Sequence, residues 1–168
     1  KKMSRLFPYL CVLIATLWLL QALAHGQSTC TPAQQHQGEN AGDCLGAATA
    51  GVGDLDDDDI NDYLVGAPSK SGLGKAYLYS GPDGSLIHSF TGESVADQFG
   101  YALCSAGDTD DDQIDDILIG AYRFAEETGR VYLYSGATGG LLHTFSGNHT
   151  GDKFGFSVGS AGDLNQDD

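Results

Sequence analysis

The chain has 168 residues, enough for one ordinary domain. It carries 23 acidic against 8 basic side chains, which gives a formal net charge of -15. This charge excludes nucleic acids and anionic membranes as partners, because binding to either needs a basic face. Hydrophobic residues make up 41% of the chain, so it can form a core, and the 24 glycines favour short strands and tight turns over a helix bundle.

Residues 1–24 have the pattern of a signal peptide. Basic residues are followed by an apolar stretch over 6–20, and Ala22 and Ala24 supply the small side chains that signal peptidase requires. We therefore predict a signal-peptide helix that is removed after Ala24, and a protein that is secreted or lies at the cell surface. The alternative is an uncleaved membrane anchor over 6–24, which is just long enough to cross a bilayer.

The two ends of the sequence suggest a fragment of a longer protein. The first Met is residue 3, and the last residues stop inside an acidic run that repeats two earlier ones. Residues 25–41 are polar and are predicted to form a linker. Cys30 and Cys44 flank most of this polar stretch, and an oxidising compartment would permit them to form a disulfide.

A repeat of 54 to 55 residues organises the rest of the chain. Residues 81–112 and 136–167 share 14 identities in 32 positions without a gap, so they are copies of one unit. Four-stranded units of this length are typical of β-propeller blades. The sequence therefore predicts an all-β fold, a partial β-propeller of four-stranded antiparallel blades. In the best-defined unit the predicted strands are 99–106, 116–121, 130–134 and 141–145.

The period divides the chain into blades. We place a first, atypical blade at 42–98, a second blade at 99–153 and the start of a third blade at 154–168. A closed ring needs at least about 220 residues with four blades, so this sequence cannot close a ring alone. Its first and last strands are therefore predicted to be exposed edges.

Most of the acidic residues fall into runs between the first and second strands of a unit. Counted from Asp54 and from Asp108, two complete loops have carboxylates at positions 1, 3, 5 and 9 and an Ile at position 7. Calcium takes 6–8 oxygen ligands, including backbone carbonyls, and this spacing can supply them. With the position 7 carbonyl as a ligand, the Ile side chain is free to turn into the core. The predicted ligands are Asp54, Asp56, Asp58, Ile60 and Asp62 in the first loop, and Asp108, Asp110, Asp112, Ile114 and Asp116 in the second.

Two alternative kinds of loop fit the acidic runs less well. An EF-hand needs a Glu at position 12, where Val65 and Ile119 stand inside β-rich segments. A solvated acidic turn is a reasonable alternative for one loop, but two loops in register with the strand repeat favour calcium. Position 6, which is usually Gly at a sharp bend, is Asp59 in the first loop and Gln113 in the second.

The residues around these loops resemble a known repeat. Phe99-Gly100 before the second loop and Gly120-Ala121-Tyr122 after it, together with Gly66-Ala67-Pro68 in the preceding unit, resemble the FG-GAP repeat of integrin α-subunit propellers and of many secreted bacterial proteins. The resemblance covers about residues 42–168. The first unit departs from it, with Leu45-Gly46 in place of Phe-Gly.

The resemblance implies a seven-bladed propeller with calcium in hairpin loops on one face and a role in adhesion or extracellular recognition. It also implies a third calcium site, which would begin with Asp163, Asn165 and Asp167.

The repeat comparison leaves no catalytic constellation. Gly155-Phe-Ser157-Val-Gly159 fits the G-x-S-x-G hydrolase pattern, but the preceding repeat has Ala102 in place of the Ser, and an acidic loop follows instead of a helix. We therefore predict an exported, calcium-binding, non-enzymatic module for adhesion or for binding an extracellular protein or glycan ligand. The alternative is an accessory propeller of a secreted hydrolase or lyase. Asn148-His-Thr150 is an N-glycosylation sequon in a eukaryotic host.

Overall fold

The computed structural model describes residues 34–162, which form two four-stranded antiparallel sheets. The prediction of an all-β fold built from propeller blades is confirmed. The first sheet contains β1 (Thr49–Gly51), β2 (Tyr63–Ala67), β3 (Lys75–Tyr79) and β4 (Leu86–Thr91), which lie side by side in chain order. The second sheet contains β5 (Ala102–Gly107), β6 (Asp116–Ala121), β7 (Arg130–Tyr134) and β8 (Leu141–Ser146), also in chain order.

Helical structure within 34–162 is limited to two short turns, over Lys70–Gly72 and Phe124–Glu127. In this part of the chain no helix has the length and apolar character that a membrane span requires. The predicted signal-peptide helix over 1–24 lies outside the described residues. Cys44 is exposed, but its predicted partner Cys30 also lies outside them, so the disulfide stays a prediction.

The predicted strands of the second blade agree with β6, β7 and β8, but the start of the first one is wrong. β5 begins at Ala102 and not at Phe99. Phe99 instead forms an isolated parallel bridge with Gly74 of the first sheet. Gly100 then takes a left-handed conformation with φ of 84°, which ends the extended backbone. Phe99 therefore joins the two sheets before β5 begins.

The main hydrophobic core lies between the two sheets. Leu64 of β2 and Leu78 of β3 are cross-strand partners on one face of the first sheet, and both are fully buried. Ile117, Ile119 and Tyr132 of the second sheet belong to the same buried cluster. Because side chains alternate between the faces of a strand, each sheet contributes one face to this core. The two blades therefore stabilise each other by shared burial of apolar surface.

The glycines of the FG and GAP motifs contact one another across the blades. Gly100 donates its backbone N–H to the carbonyl oxygen of Gly120 in its own sheet, at 3.1 Å. Its own carbonyl oxygen lies directly over Gly66 of the preceding sheet, where a Cβ atom would collide with it. A Cβ atom on Gly120 would collide in the same way with the carbonyl oxygen of Gly155. The backbone N–H of Gly46 donates to the carbonyl oxygen of Gly66 at 2.8 Å. The glycines of the FG and GAP motifs therefore stand where the two backbones come so close that only Gly fits.

Residues 34–43 cover the outer face of the first sheet. His36 stacks on Tyr79, with 3.8 Å between ring centroids, and shares a hydrogen bond of 2.7 Å with the hydroxyl of Tyr63. The Lys70 side chain is buried, and its Nζ donates to Asp43 at 2.8 Å and to Glu39 at 2.9 Å. Part of the stretch predicted as a linker therefore contacts the first sheet.

Replacing Lys70 with Met should lower the melting temperature, because the buried carboxylate of Asp43 loses its cation. The hydrogen bond from Lys70 holds the pKa of Asp43 below its usual 3.8. A depressed carboxyl pKa stabilises the fold above the unfolded value, and the contribution is lost as the pH falls through the folded value. The difference between wild type and Lys70→Met should therefore be large at neutral pH and shrink below pH 3.8.

Thermal unfolding followed by circular dichroism across this pH range would measure the effect. Lys153→Met is the matched control, because the ion pair of Lys153 with Glu127 is solvent-exposed and should contribute about 0 to 1 kcal/mol. An equal loss in both variants at neutral pH would contradict the role given to Lys70.

The outer face of the second sheet is open within residues 34–162. Phe145 and Phe154 are each 43% exposed, whereas Phe90 and Phe99, which occupy the same positions one repeat earlier, are 5% and 0% exposed. The earlier pair is covered because the second sheet packs on it. The prediction concerned the edge strands and not this face; within the described residues β8 is the last strand of its sheet, and most of its residues are exposed.

Candidate metal centres

Both acidic loops connect the first and second strands of a sheet. The first joins β1 to β2 and the second joins β5 to β6. Each ends in a carboxylate that is almost completely buried, Asp62 with 1% exposure and Asp116 with 0%. The loops therefore occupy equivalent places at the same end of their blades.

The carboxylates at positions 1 and 5 shape each loop. Asp54 accepts hydrogen bonds from the backbone N–H of Asp58 at 3.1 Å and of Asp59 at 2.7 Å. Burial alone would raise the pKa of Asp54, but these N–H groups lower it below its usual value. Asp58 in turn accepts from the N–H of Ile60 at 2.9 Å. The backbone is thereby folded around the first carboxylate.

The second loop repeats these bonds. Asp108 accepts from the N–H of Asp112 at 3.1 Å and of Gln113 at 2.7 Å, and Asp112 accepts from Ile114 at 2.9 Å. Two loops that differ in sequence at several positions therefore adopt one conformation, which indicates that the shared aspartates determine it.

The carboxylate at position 9 ties the loop to the turn between the third and fourth strands. Asp62 accepts from the N–H of Leu55 at 2.8 Å and of Gly81 at 2.9 Å. Asp116 accepts from the N–H and the hydroxyl of Thr109 and from the N–H of Gly136 at 3.2 Å. A buried carboxylate with several N–H donors is well satisfied, so this position holds the base of the loop in place.

Left-handed residues explain how the loops turn without Gly at position 6. Asp59 and Gln113 have φ of 68° and 73° there, and Asp57 and Asp111 at position 4 have φ of 64° and 62°. The left-handed region costs a non-Gly residue about 1 to 2 kcal/mol. The hydrogen bonds to position 1 offset this cost, because they form only in the turned conformation.

Three carboxylates converge in each loop. One oxygen from each of Asp54, Asp56 and Asp58 lies within 4.8 Å of the others, and the same is true of Asp108, Asp110 and Asp116. Together the two clusters use every predicted carboxylate position. They differ in the third member, since Asp62 is absent from the first cluster and Asp112 from the second.

The position 3 carboxylates have the least favourable surroundings for a negative charge. Burial raises the pKa of Asp56, and so do the charges of Asp62 and Asp58. Burial and the neighbouring charges of Asp112 and Asp116 likewise raise the pKa of Asp110. A cation held among these groups would remove the repulsion, and an all-oxygen donor set suits a hard cation such as calcium.

The prediction that the position 7 side chains enter the core is wrong for Ile60. Its side chain is 49% exposed and lies over Gly81 on the neighbouring turn. Leu55, at position 2, fills the core instead and is 5% exposed. Ile114 is half-buried and packs against the core as predicted, since the position 2 residue there is the polar Thr109. The predicted third-site residues Asp163, Asn165 and Asp167 lie outside the described part of the chain.

The sequence reasoning missed a second recurring aspartate, at the end of the sheets opposite the acidic loops. Asp43, Asp97 and Asp152 each stand three residues before the Gly of the FG position. Each accepts a backbone hydrogen bond within its loop, from Asn40, Ser94 and His149 respectively. The signal was present in the sequence, because a Gly stands five residues before each of these aspartates, at 38, 92 and 147.

Comparison with known proteins identifies the repeat. The model of the FG-GAP repeat family matches residues 99–134, which run from the Phe-Gly pair to the end of β7. Integrin alpha-5 of Xenopus laevis is 36% identical over 130 residues, which cover 69% of this chain and 12% of the relative.

Two further relatives are matched over a similar share of this chain. Integrin alpha-8 of Mus musculus is 36% identical over 135 residues, or 73% of this chain and 12% of the relative. Integrin alpha-4 of Xenopus laevis is 33% identical over 129 residues, which cover 72% of this chain and 12% of the relative. The chain spans about an eighth of the length of these relatives. The chain therefore belongs to the FG-GAP repeat proteins, and its repeats are similar to those of integrin α-subunits.

Proposed function

We propose that this chain supplies calcium-binding blades to an extracellular, non-enzymatic β-propeller that binds a protein or glycan ligand. The observation that carries the proposal is the pair of acidic loops, which have the same hydrogen bonds and the same place in two successive sheets. An accidental acidic turn would not repeat its internal bonds in this way. The similarity to integrin α-subunits supports the extracellular location and the adhesive role.

Calcium would be held by the predicted donors of each loop. In the first loop these are Asp54, Asp56, Asp58 and Asp62 with the carbonyl of Ile60. The bound cation would supply positive charge to a crowded set of carboxylates and would fix the loop. Asp62 already anchors the neighbouring turn through Gly81, so ordering of the loop would extend to the turn between the third and fourth strands.

The loops at the opposite end of the blades are the candidate ligand surface. A groove lies there between Ser94–Asp97 and Arg123–Glu127. It contains the exposed Val95 together with acidic and basic side chains. Such a mixture suits recognition of a protein or glycan surface. The G-x-S-x-G segment also supports a non-enzymatic role, because its first residue, Gly155, packs on Gly120 as an FG-position glycine.

Ligand binding should depend on calcium. Immobilised extracellular matrix proteins and a glycan array would be probed with the chain in millimolar calcium and in EDTA. We expect retention on at least one surface in calcium and loss of retention in EDTA, and the same loss in the double variant Asp56→Asn/Asp110→Asn.

The matched control is Asp57→Asn/Asp111→Asn, which removes the same charge from left-handed loop positions outside the two clusters and should still bind. Equal retention with calcium and with EDTA would refute the calcium dependence, and absence of retention on every surface would refute the adhesive role.

A further inference from the structure

Asn148 lies in an ordered, exposed loop that follows β8. The backbone N–H groups of Asn148 and His149 donate to the carboxylate of Asp152 at 2.9 and 2.8 Å, which fixes the turn. Asn148 and Thr150 are both exposed. Within residues 34–162 the carboxamide of Asn148 makes no hydrogen bond, so its nitrogen is available to solvent.

The same loop position has a different role in the two earlier repeats. Glu39 occupies it before the first sheet and Glu93 before the second. Glu39 pairs with Lys70 at 2.9 Å, and Glu93 pairs with Arg130 at 3.0 Å, so each acid pairs with a basic side chain of the blade that follows it. Asn148 cannot form such an ion pair. Its replacement of the acid creates the one N-x-S/T sequence in the chain.

The position remains accessible when a blade packs next to it. The side chain of Glu39 is 70% exposed and that of Glu93 is 48% exposed, although each lies against a following sheet. A group attached at residue 148 would therefore project into solvent even beside a further blade. The loop also lies at the end of the sheet opposite the acidic loops, because β8 runs antiparallel to β7 and ends there.

We infer that Asn148 carries an N-linked oligosaccharide. The inference rests on the proposed extracellular function, since the chain must enter the secretory pathway of a eukaryotic cell. The donor is a lipid-linked oligosaccharyl pyrophosphate. The Asn148 Nδ2 forms a bond to C1 of the first sugar, the bond from C1 to the pyrophosphate oxygen breaks, and the amide loses a proton as the lipid pyrophosphate departs. Thr150 supplies the hydroxyl that the sequon requires two residues after the acceptor.

The test is expression of the full chain in animal cells, followed by peptide N-glycosidase treatment of the secreted material. We expect one increase in gel mobility and conversion of Asn148 to Asp in the released peptide, as detected by mass spectrometry. Asn148→Gln and Thr150→Ala should abolish the mobility change. Thr150→Ser keeps the sequon and should retain it, which separates loss of the acceptor from a general folding defect.

Failure of export and failure of glycosylation give different results. Absence of the chain from both the medium and the cell surface would overturn the extracellular proposal. The same chain directed by an added signal peptide would then still report on Asn148. Secreted chain with an unmodified Asn148 peptide would overturn the inference. Asn148→Gln should leave calcium binding unchanged, because the loop and the acidic clusters lie at opposite ends of the sheet.

Discussion

Calcium should raise the free energy of unfolding by about 3 to 5 kcal/mol when its free concentration is ten to a hundred times the Kd of both loops. Each site that binds only the folded state contributes about 1.4 to 2.7 kcal/mol over this range. Extracellular calcium modules have Kd values of about 10⁻⁴ to 10⁻³ M, so the calcium concentration should be raised to about 10 mM, which is at least ten times Kd over this range. Denaturant unfolding with calcium and with EDTA measures the difference.

Asp110→Asn should remove about half of this gain without harming the metal-free protein. Asp110 belongs to the second carboxylate cluster, whereas the two hydrogen bonds that turn the loop, from the N–H groups of Asp112 and Gln113, are accepted by Asp108. Its pKa is raised by burial and by neighbouring negative charges, so loss of its charge relieves repulsion in the absence of calcium. The variant therefore separates metal binding from loop folding, which Asp108→Asn would not do.

The control is Asp111→Asn, which removes the same charge from the adjacent residue. Asp111 has φ of 62° and lies outside the cluster, and Asn tolerates the left-handed region well. It should keep the full calcium gain. If Asp110→Asn and Asp111→Asn lost the same share of the calcium-dependent stabilisation, that stabilisation would depend only on net charge. If calcium did not stabilise the wild-type chain, the metal sites would be refuted.

The repeat made the four-stranded blades and most strand positions predictable, because turn residues and alternating apolar residues recur at a fixed period. The start of β5 was not predictable in this way. Phe99, Tyr101 and Leu103 alternate as in a strand, but Gly100 takes a left-handed conformation in order to reach the preceding sheet. An alternating pattern of apolar residues does not show that the backbone of a Gly within it departs from the extended conformation.

The acidic loops likewise have one feature that the sequence predicts and one that it does not. The spacing of the aspartates identified the carboxylates that converge, since it reflects a backbone path that both loops share. The burial of the Ile at position 7 could not be deduced from one loop. This burial depends on the residue at position 2. In the first loop Leu55 is buried in the core and Ile60 is exposed, whereas in the second loop position 2 is the polar Thr109 and Ile114 packs against the core.

Ion pairs between residues distant in sequence were the least predictable feature. Lys70 looks like an ordinary surface residue in the sequence, yet it is 4% exposed because Glu39 and Asp43 surround its ammonium group. Neither acid stands near it in sequence. Ion pairs of this kind depend on how segments distant in sequence fold onto each other, and the repeat period alone does not specify them.

Gly66→Ala should destabilise the chain by on the order of 3 kcal/mol, since an added methyl group in a close-packed contact forces the backbone apart. The new Cβ would collide with the carbonyl oxygen of Gly100 and lie 3.4 Å from Leu103. The carbonyl is held in place because Gly100 is also bonded to Gly120. Gly120→Ala should have a similar effect, because its Cβ would meet the carbonyl oxygen of Gly155.

Gly51→Ala distinguishes this clash from the general effect of replacing Gly. Gly51 lies in β1 with no atom within 4 Å of an added Cβ, so Ala there should be neutral or stabilising by about 0.4 to 1 kcal/mol. Denaturant unfolding in EDTA compares the three variants without a contribution from calcium. If Gly66→Ala and Gly51→Ala differed by less than about 1 kcal/mol, which is the low end for overpacking, the glycine contact would not join the blades. A large difference would show that the FG and GAP glycines are required for packing between blades, independently of the metal that the loops beside them are proposed to bind.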